Sequence, residues 1–378
     1  MKILHISNYY YPCIGGIEQV ARDCVQSLED VEQRLICFNK EKKTVYEEVD
    51  GIPVTRAGMF AKVSSQQLSF CFGKLLRREF KEFSPDIVVF HFPNPLEAHA
   101  LLKILRKKKY RDCKLILWWH LDITKQKLLG KIFRGQTMRL LRRAERVVAT
   151  SPNYIDGSKF LPGFREKCVV IPNCASEANF DDTTLQRAKK IKDANAGKTL
   201  LFALGRHVPY KGMEYLVRAS KLLSDDYAVF IGGEGELTQS LKVLAEGDQK
   251  VTFLGKITDE EKEAYLAACD IFCFPSITKN EAFGIALAEA MAYQKPAVTF
   301  TIDGSGVNYV SIDGETGLEV PNCDVGAYAA AIEKLKEDSA LRETYARAAR
   351  RRFEELFTKE SFRKNIQALI EEIGAPRV

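Results

Sequence analysis

Short apolar runs alternate with longer amphipathic stretches from one end of the chain to the other. This is the pattern of parallel strands joined by helical crossovers that cover both faces of a sheet. In the first half Lys2–Ser7, Gln33–Phe38, Pro53–Ala57, Ile87–Phe92, Lys114–His120, Arg146–Thr150 and Cys168–Pro172 predict strands. A polar stretch from Ser176 to Lys198 reads as a connection with room for one helical turn. The pattern then restarts with Thr199–Leu204, Ala228–Gly232, Val251–Leu254, Ile271–Pro275, Ala297–Thr301 and Gly317–Val320, and a last helix is expected over Lys359–Ile373. The 378 residues exceed what one ordinary core accommodates. The expected fold is therefore α/β, with two doubly wound Rossmann-like domains facing across a cleft and a ligand at the carboxyl ends of the strands.

Composition narrows the class of protein without naming its chemistry. Apolar residues make up 46% and charged ones 28%, which suits a globular chain and not a disordered one. The ten cysteines show no Cys-x-x-Cys spacing and no paired Cys/His clusters, so reduced, mostly buried thiols in a cytoplasm are expected. Met1-Lys-Ile-Leu-His-Ile-Ser7 turns polar too early for a leader and reads as the first strand. No apolar run approaches the roughly 20 residues that cross a bilayer.

Charge is unevenly spread. Residues 1–175 hold 30 Lys/Arg against 18 Asp/Glu, whereas the remainder holds 26 against 32, within a total of +6. Much of the excess lies in Leu101–Lys114 and Lys125–Arg146. In the second segment Leu128, Leu129, Ile132, Phe133, Leu140, Leu141 and Ala144 fall near helical spacing with Lys and Arg between them. Such a helix could lie on an anionic membrane at the inner face of the plasma membrane, or pack on the core with a solvated basic face. Nucleic acid is not an expected partner, because no aromatic-basic interleaving accompanies the charge.

Candidate chemistry sits in strand-to-helix loops. Glu281-Ala-Phe-Gly-Ile-Ala-Leu-Ala-Glu289 places two carboxylates around a Phe283-Gly284-Ile285 turn entering a helix. Free N–H groups at a helix start attract an anion, and Glu289, read as about two turns into the helix, could take vicinal hydroxyls. An amphipathic helix with two solvated glutamates fits the same segment. Gly15-Gly16 follows the first strand and lets backbone approach a phosphate or sugar, although Gly-Gly is also an ordinary turn. Arg206 and Lys211 share one loop and could clamp a diphosphate, Arg as a planar fork and Lys as a point charge. His120 ends a strand and could line a reacting sugar. His5 reads as a core histidine, His91, His99 and His207 carry no assignment, and Ile257 could border a base. No Gly-x-x-x-x-Gly-Lys-Ser/Thr loop, no Gly-x-Gly-x-x-Gly after the first strand and no Gly-x-Ser-x-Gly elbow is present. No Asp-x-Asp pair is available for a metal–diphosphate, so Arg206, Lys211 and helix dipoles would have to meet the phosphate charge.

Taken together, Gly15-Gly16, His120, Ile171-Pro-Asn173, Gly205-Arg206, Lys211-Gly212, Gly232-Gly233-Glu234-Gly235 and the Glu-x7-Glu element resemble family 4 of the retaining glycosyltransferases, which have the GT-B architecture. The resemblance covers nearly the whole length. It implies an acceptor-binding domain over 1–175 to which a C-terminal helix, 359–378, crosses back, and a nucleotide-sugar-binding domain over 176–358. It further implies that Arg206, Lys211, Gly16 and the amides of Phe283, Gly284 and Ile285 bind the donor diphosphate, that Glu289 holds the ribose, and that His120 and Glu281 flank the sugar. The implied reaction moves a hexose from a UDP- or GDP-linked donor to a glycan or lipid-linked acceptor of a surface polysaccharide, with no cofactor and no metal. Cys174 and Gly306-Val-Asn308 depart from the usual family pattern. A nucleotide-sugar 2-epimerase on the same architecture, or a non-catalytic nucleotide-sugar module, are the other readings.

Overall fold

The computed structural model describes residues 1–13, 15–63, 66–122 and 130–374. Its contacts divide into two compact units, Met1–Pro172 with Phe362–Val378, and Asn173–Ser361.

The first unit is built on an eight-stranded sheet in the order Cys168–Val170, Arg146–Ala149, Lys114–Trp119, Ile87–Phe92, Lys2–Ile6, Glu32–Phe38, Ile52–Ala57, Val45–Val49. Seven of these strands run parallel, and Val45–Val49 pairs antiparallel at the edge. The central strand Ile87–Phe92 is buried at every position, and its near-continuous apolar sequence, interrupted only by His91, suits a strand covered on both faces. Val45–Val49 was not predicted. Its sequence, Val-Tyr-Glu-Glu-Val, is half exposed and lacks a core-facing run. A small hairpin, Ala61–Val63 with Gln66–Leu68, was also missed, being too short and polar to show a period. The helix Gly130–Arg143 lies inside the predicted basic segment and buries Leu140 and Leu141. Leu128 and Leu129 fall outside the described residues, as do residues 375–378 of the expected crossing helix. That helix runs Lys359–Gly374 and packs on the first unit: Phe362 lies 5.7 Å from the Trp118 ring, Gln367 donates to the Ser27 carbonyl, and Arg146 bonds Glu372.

The second unit carries a six-stranded, wholly parallel sheet in the order Val251–Gly255, Tyr227–Gly232, Thr199–Leu204, Ile271–Phe274, Ala297–Phe300, Gly317–Val320. One large core, including Phe202, Phe272, Leu287, Met291 and Tyr328, fills the space between sheet and helices. The stretch 176–198 is more than a connection with one turn. It holds a 13-residue helix, Asp182–Ala194, N-capped by the Asp181 carboxylate accepting from Thr184 N–H. Only Thr184 and Ala188 of that helix are buried, so its apolar stripe is too thin to announce itself.

Candidate active site

In the second unit the strand Thr199–Leu204 opens into the loop that carries Arg206 and Lys211. Gly212 closes this loop in the left-handed region at φ 60°, and a Cβ there would stand 2.1 Å from the Pro275 carbonyl oxygen. Only glycine allows so close an approach. The contact brings Lys211 beside the end of the strand Ile271–Phe274, where its ammonium lies 2.5 Å from Glu281 Oε2 and 4.9 Å from the Phe274 ring centre. Glu281 Oε2 also accepts from Ser276 Oγ at 3.2 Å. Ser305 Oγ donates to the Glu281 carbonyl at 2.5 Å, and Gly306 packs where a Cβ would meet the Ala282 carbonyl at 2.1 Å. The departure at Gly306-Val-Asn308 thus has a local reason: this segment braces the Glu281 loop and has no room for a side chain at its first position. Asn308 fastens the same segment to the end of the strand Ala297–Phe300, accepting from Ile302 N–H at 2.9 Å and donating to the Phe300 carbonyl at 3.0 Å.

Gly284, at φ 97°, turns the chain into the helix Ile285–Ala292. The first intrahelical bonds run from Leu287 and Ala288 N–H to the Gly284 carbonyl, so the amides of Ile285 and Ala286 precede them and have no acceptor within the helix. Phe283 itself is buried against Phe357. The expected position of Glu289 needs correction. It lies four residues beyond Ile285, one turn into the helix and not two, and its side chain does not join Glu281. Instead Lys262 donates to Glu289 Oε1 at 2.7 Å and also pairs with Asp259 at 3.1 Å. Burial alone would lower the Lys262 pKa, but the Glu289 and Asp259 carboxylates outweigh it and hold the ammonium above its usual range. Lys262 had no sequence signal beyond being one more lysine in a charged helix. Arg206 is exposed, with its guanidinium 3.2 Å from the Tyr210 hydroxyl. Ile257 is half-buried and reaches toward Gly232, where a Cβ would come within 3.1 Å of its Cδ1.

In the first unit Gly16 begins the helix Gly16–Gln26 with open space around its α-carbon. His120 follows Trp119, and its N–H continues the sheet by donating to the Phe92 carbonyl. Two residues on, Asp122 accepts from Trp119 Nε1 at 3.1 Å, Ser158 Oγ at 2.8 Å and Lys159 N–H at 2.9 Å. His120 is buried, with its Nε2 3.1 Å from His91 Nδ1, and burial pushes its pKa down to about 3. His91 thereby gains a place that the sequence did not give it. His5 is a core histidine as expected, its Nε2 2.9 Å from Gln33 Oε1, and desolvation takes its pKa down to about 4. His207 Nδ1 meets Thr238 Oγ1 at 2.9 Å. Among the described residues no three His, Cys, Asp or Glu side chains group as a metal centre, and no helix is long and apolar enough to cross a membrane.

Comparison with known proteins bears on the family and on the fold. Residues 14–177 match the family model described as Glycosyltransferase Family 4, and residues 186–352 match Glycosyl transferases group 1. The D-rhamnosyltransferase WbpZ of Pseudomonas aeruginosa is 32% identical over 95% of this chain and 92% of its own length. The O-antigen chain mannosyltransferase C of Escherichia coli is 29% identical over 95% of both. Among solved structures, sucrose-phosphate synthase from Thermosynechococcus elongatus superposes with a TM-score of 0.79 at 18% identity, covering 99% of each chain. HepE of Anabaena, solved with UDP and glucose, superposes with a TM-score of 0.76 at 19% identity, covering 98% of this chain and 99% of that one. At such identities the likeness establishes the fold, which is GT-B.

Proposed function

The chain belongs to glycosyltransferase family 4, and we propose that it transfers a hexose from a nucleotide diphosphate sugar to a glycan or lipid-linked acceptor during synthesis of a cell-surface polysaccharide. The observation that carries this reading is the Lys211–Glu281 pair at the entrance to the Gly284-capped helix. A lysine ammonium has three protons to donate. One holds Glu281, and two remain for phosphate oxygens next to the open amides of Ile285 and Ala286. A cation, two amides and a helix start together suit a diphosphate leaving group. Arg206, exposed and with Tyr210 as its one side-chain partner among the described residues, adds a second cation to the same loop. Glu289, fixed by Lys262, is suited to accept from ribose hydroxyls through its second oxygen. Gly16 and His120 are assigned to the diphosphate and the sugar by the family resemblance.

The proposed transfer retains configuration. The bond from the sugar's anomeric carbon to the leaving phosphate oxygen breaks while the acceptor oxygen bonds on the same face. The acceptor's proton passes to the departing diphosphate, giving the nucleoside diphosphate and a glycoside. The protein's part is to stabilise charge on the leaving group with Lys211, Arg206 and backbone amides, in place of a divalent ion. A rhamnosyltransferase and a mannosyltransferase among full-length relatives favour a manno-configured sugar. A thermal-shift screen over GDP-, UDP- and dTDP-sugars tests the donor: a true donor at a hundredfold its Kd stabilises by about 2.7 kcal/mol. Donor hydrolysis that survives EDTA supports the cationic clamp, whereas loss on chelation and recovery with manganese overturns it. The basic first unit is proposed to meet an anionic membrane. Co-sedimentation with phosphatidylglycerol vesicles at low salt and its loss at high salt are the expected results, and no sedimentation at low salt removes the idea.

A further inference from the structure

Three imidazoles from neighbouring strands of the first sheet lie in one row. His5 is paired in register with Val89, and His91 with Trp118, so His5, His91, Trp118 and His120 all point to the same face. The rings of His5 and His91 are 6.3 Å apart and those of His91 and His120 5.4 Å, with interplanar angles of 22° and 18°. The C-terminal helix covers this face through Phe362 on Trp118. His91 is wholly buried, and its single polar contact among the described residues is the 3.1 Å approach of its Nδ1 to His120 Nε2.

That contact can be made in two ways, and they differ in what His120 presents. If His120 Nε2–H donates, neutral His91 must carry its own proton on Nε2, an atom that is buried with no partner. If His91 Nδ1–H donates, Nε2 is left as a bare lone pair. An orphaned buried N–H is rarer and more costly than an unused acceptor. The second arrangement leaves His120 with its proton on Nδ1, for which no described residue is an acceptor. Resting on the transferase reading above, we propose that His91 is a positioning residue: its Nδ1–H holds His120 in the Nδ1–H tautomer, which then offers a hydrogen bond to an oxygen of the transferred sugar.

The test compares wild type with His91→Phe, which keeps a stacked ring and removes the donor, and His91→Asn, whose amide restores an N–H. Two-bond proton–nitrogen spectra of the imidazoles need no substrate. His120 is expected to be protonated at Nδ1 in wild type and in His91→Asn, and at Nε2 in His91→Phe. With GDP-mannose as probe, kcat for hydrolysis should fall about tenfold in His91→Phe with KM changed less than twofold, and recover in His91→Asn. Wild-type His120 protonated at Nε2, or an unchanged kcat in His91→Phe, overturns the assignment. If wild type does not turn over GDP-mannose, that donor is excluded from the transferase reading, while the spectra still decide the tautomer.

Discussion

Lys211 and Glu281 are 70 positions apart in the chain and 2.5 Å apart in space, with side chains 13% and 12% exposed. Lys211→Ala would remove the proposed phosphate contact and leave the Glu281 carboxylate without its ammonium partner, with Ser276 Oγ still donating to it. By analogy with the loss of one electrostatic donor to a leaving oxyanion, turnover should fall roughly a hundredfold or more, from about 3 kcal/mol of lost transition-state stabilisation. Arg206→Ala should show a similar loss in turnover with an unchanged melting temperature, because the exposed guanidinium contacts only Tyr210 in the described structure. Steady-state kinetics alongside thermal melts check both, and wild-type transfer by the two variants would sink the clamp. The residue types in these loops were legible from sequence. Their partners were not: nothing in a linear reading connects Glu289 to Lys262, or His120 to His91, because each contact joins different elements.

At the level of elements, the buried parallel strands were the most legible part. A strand covered on both faces reads as a near-continuous apolar run, and Ile87–Phe92 and Thr199–Leu204, each with a single polar residue, begin and end where their sequences predict, as does the half-buried edge strand Gly317–Val320. Elements with one thin apolar face were hidden, as the edge strand Val45–Val49 and the helix Asp182–Ala194 show. Loops depend on glycine where backbones nearly touch. Gly212→Ala would place a methyl against the Pro275 carbonyl in a left-handed conformation, so a destabilisation of roughly 2–4 kcal/mol is expected by denaturant titration. Activity should fall further than stability alone explains, since Lys211 is the adjacent residue. A Gly212→Ala protein of unaltered midpoint and turnover would contradict this account of the loop.

Across the whole molecule, the first unit buries ionisable groups in their neutral forms. Desolvation lowers the pKa values of His5, His91 and His120, and raises that of Glu97, whose carboxyl oxygens have no partner among the described residues. Between about pH 4.5 and 6.5 the unfolded chain takes up protons on three histidines that the folded chain refuses, whereas folded Glu97 keeps a proton that the unfolded chain releases. The balance is about two protons in favour of the unfolded state, so stability should fall with falling pH by on the order of 2 kcal/mol per unit. Glu97→Gln removes the opposing carboxyl, so it should stabilise the protein at pH 8 and steepen the acid decline. Urea titrations from pH 8 to 4.5 check both, and a flat profile would refute the neutral row. The sequence by itself determined the class of fold, the restart of the pattern near residue 199 and the loops that carry charge and glycine, because strand periodicity and turn chemistry are local properties. Tertiary structure alone decided which cation meets which carboxylate, that Lys262 rather than solvent holds Glu289, that the last helix covers the histidine row, and which imidazole nitrogen is left free. Those choices depend on burial and on distances between elements far apart in the chain, where desolvation makes an unpaired charge or N–H too costly to leave.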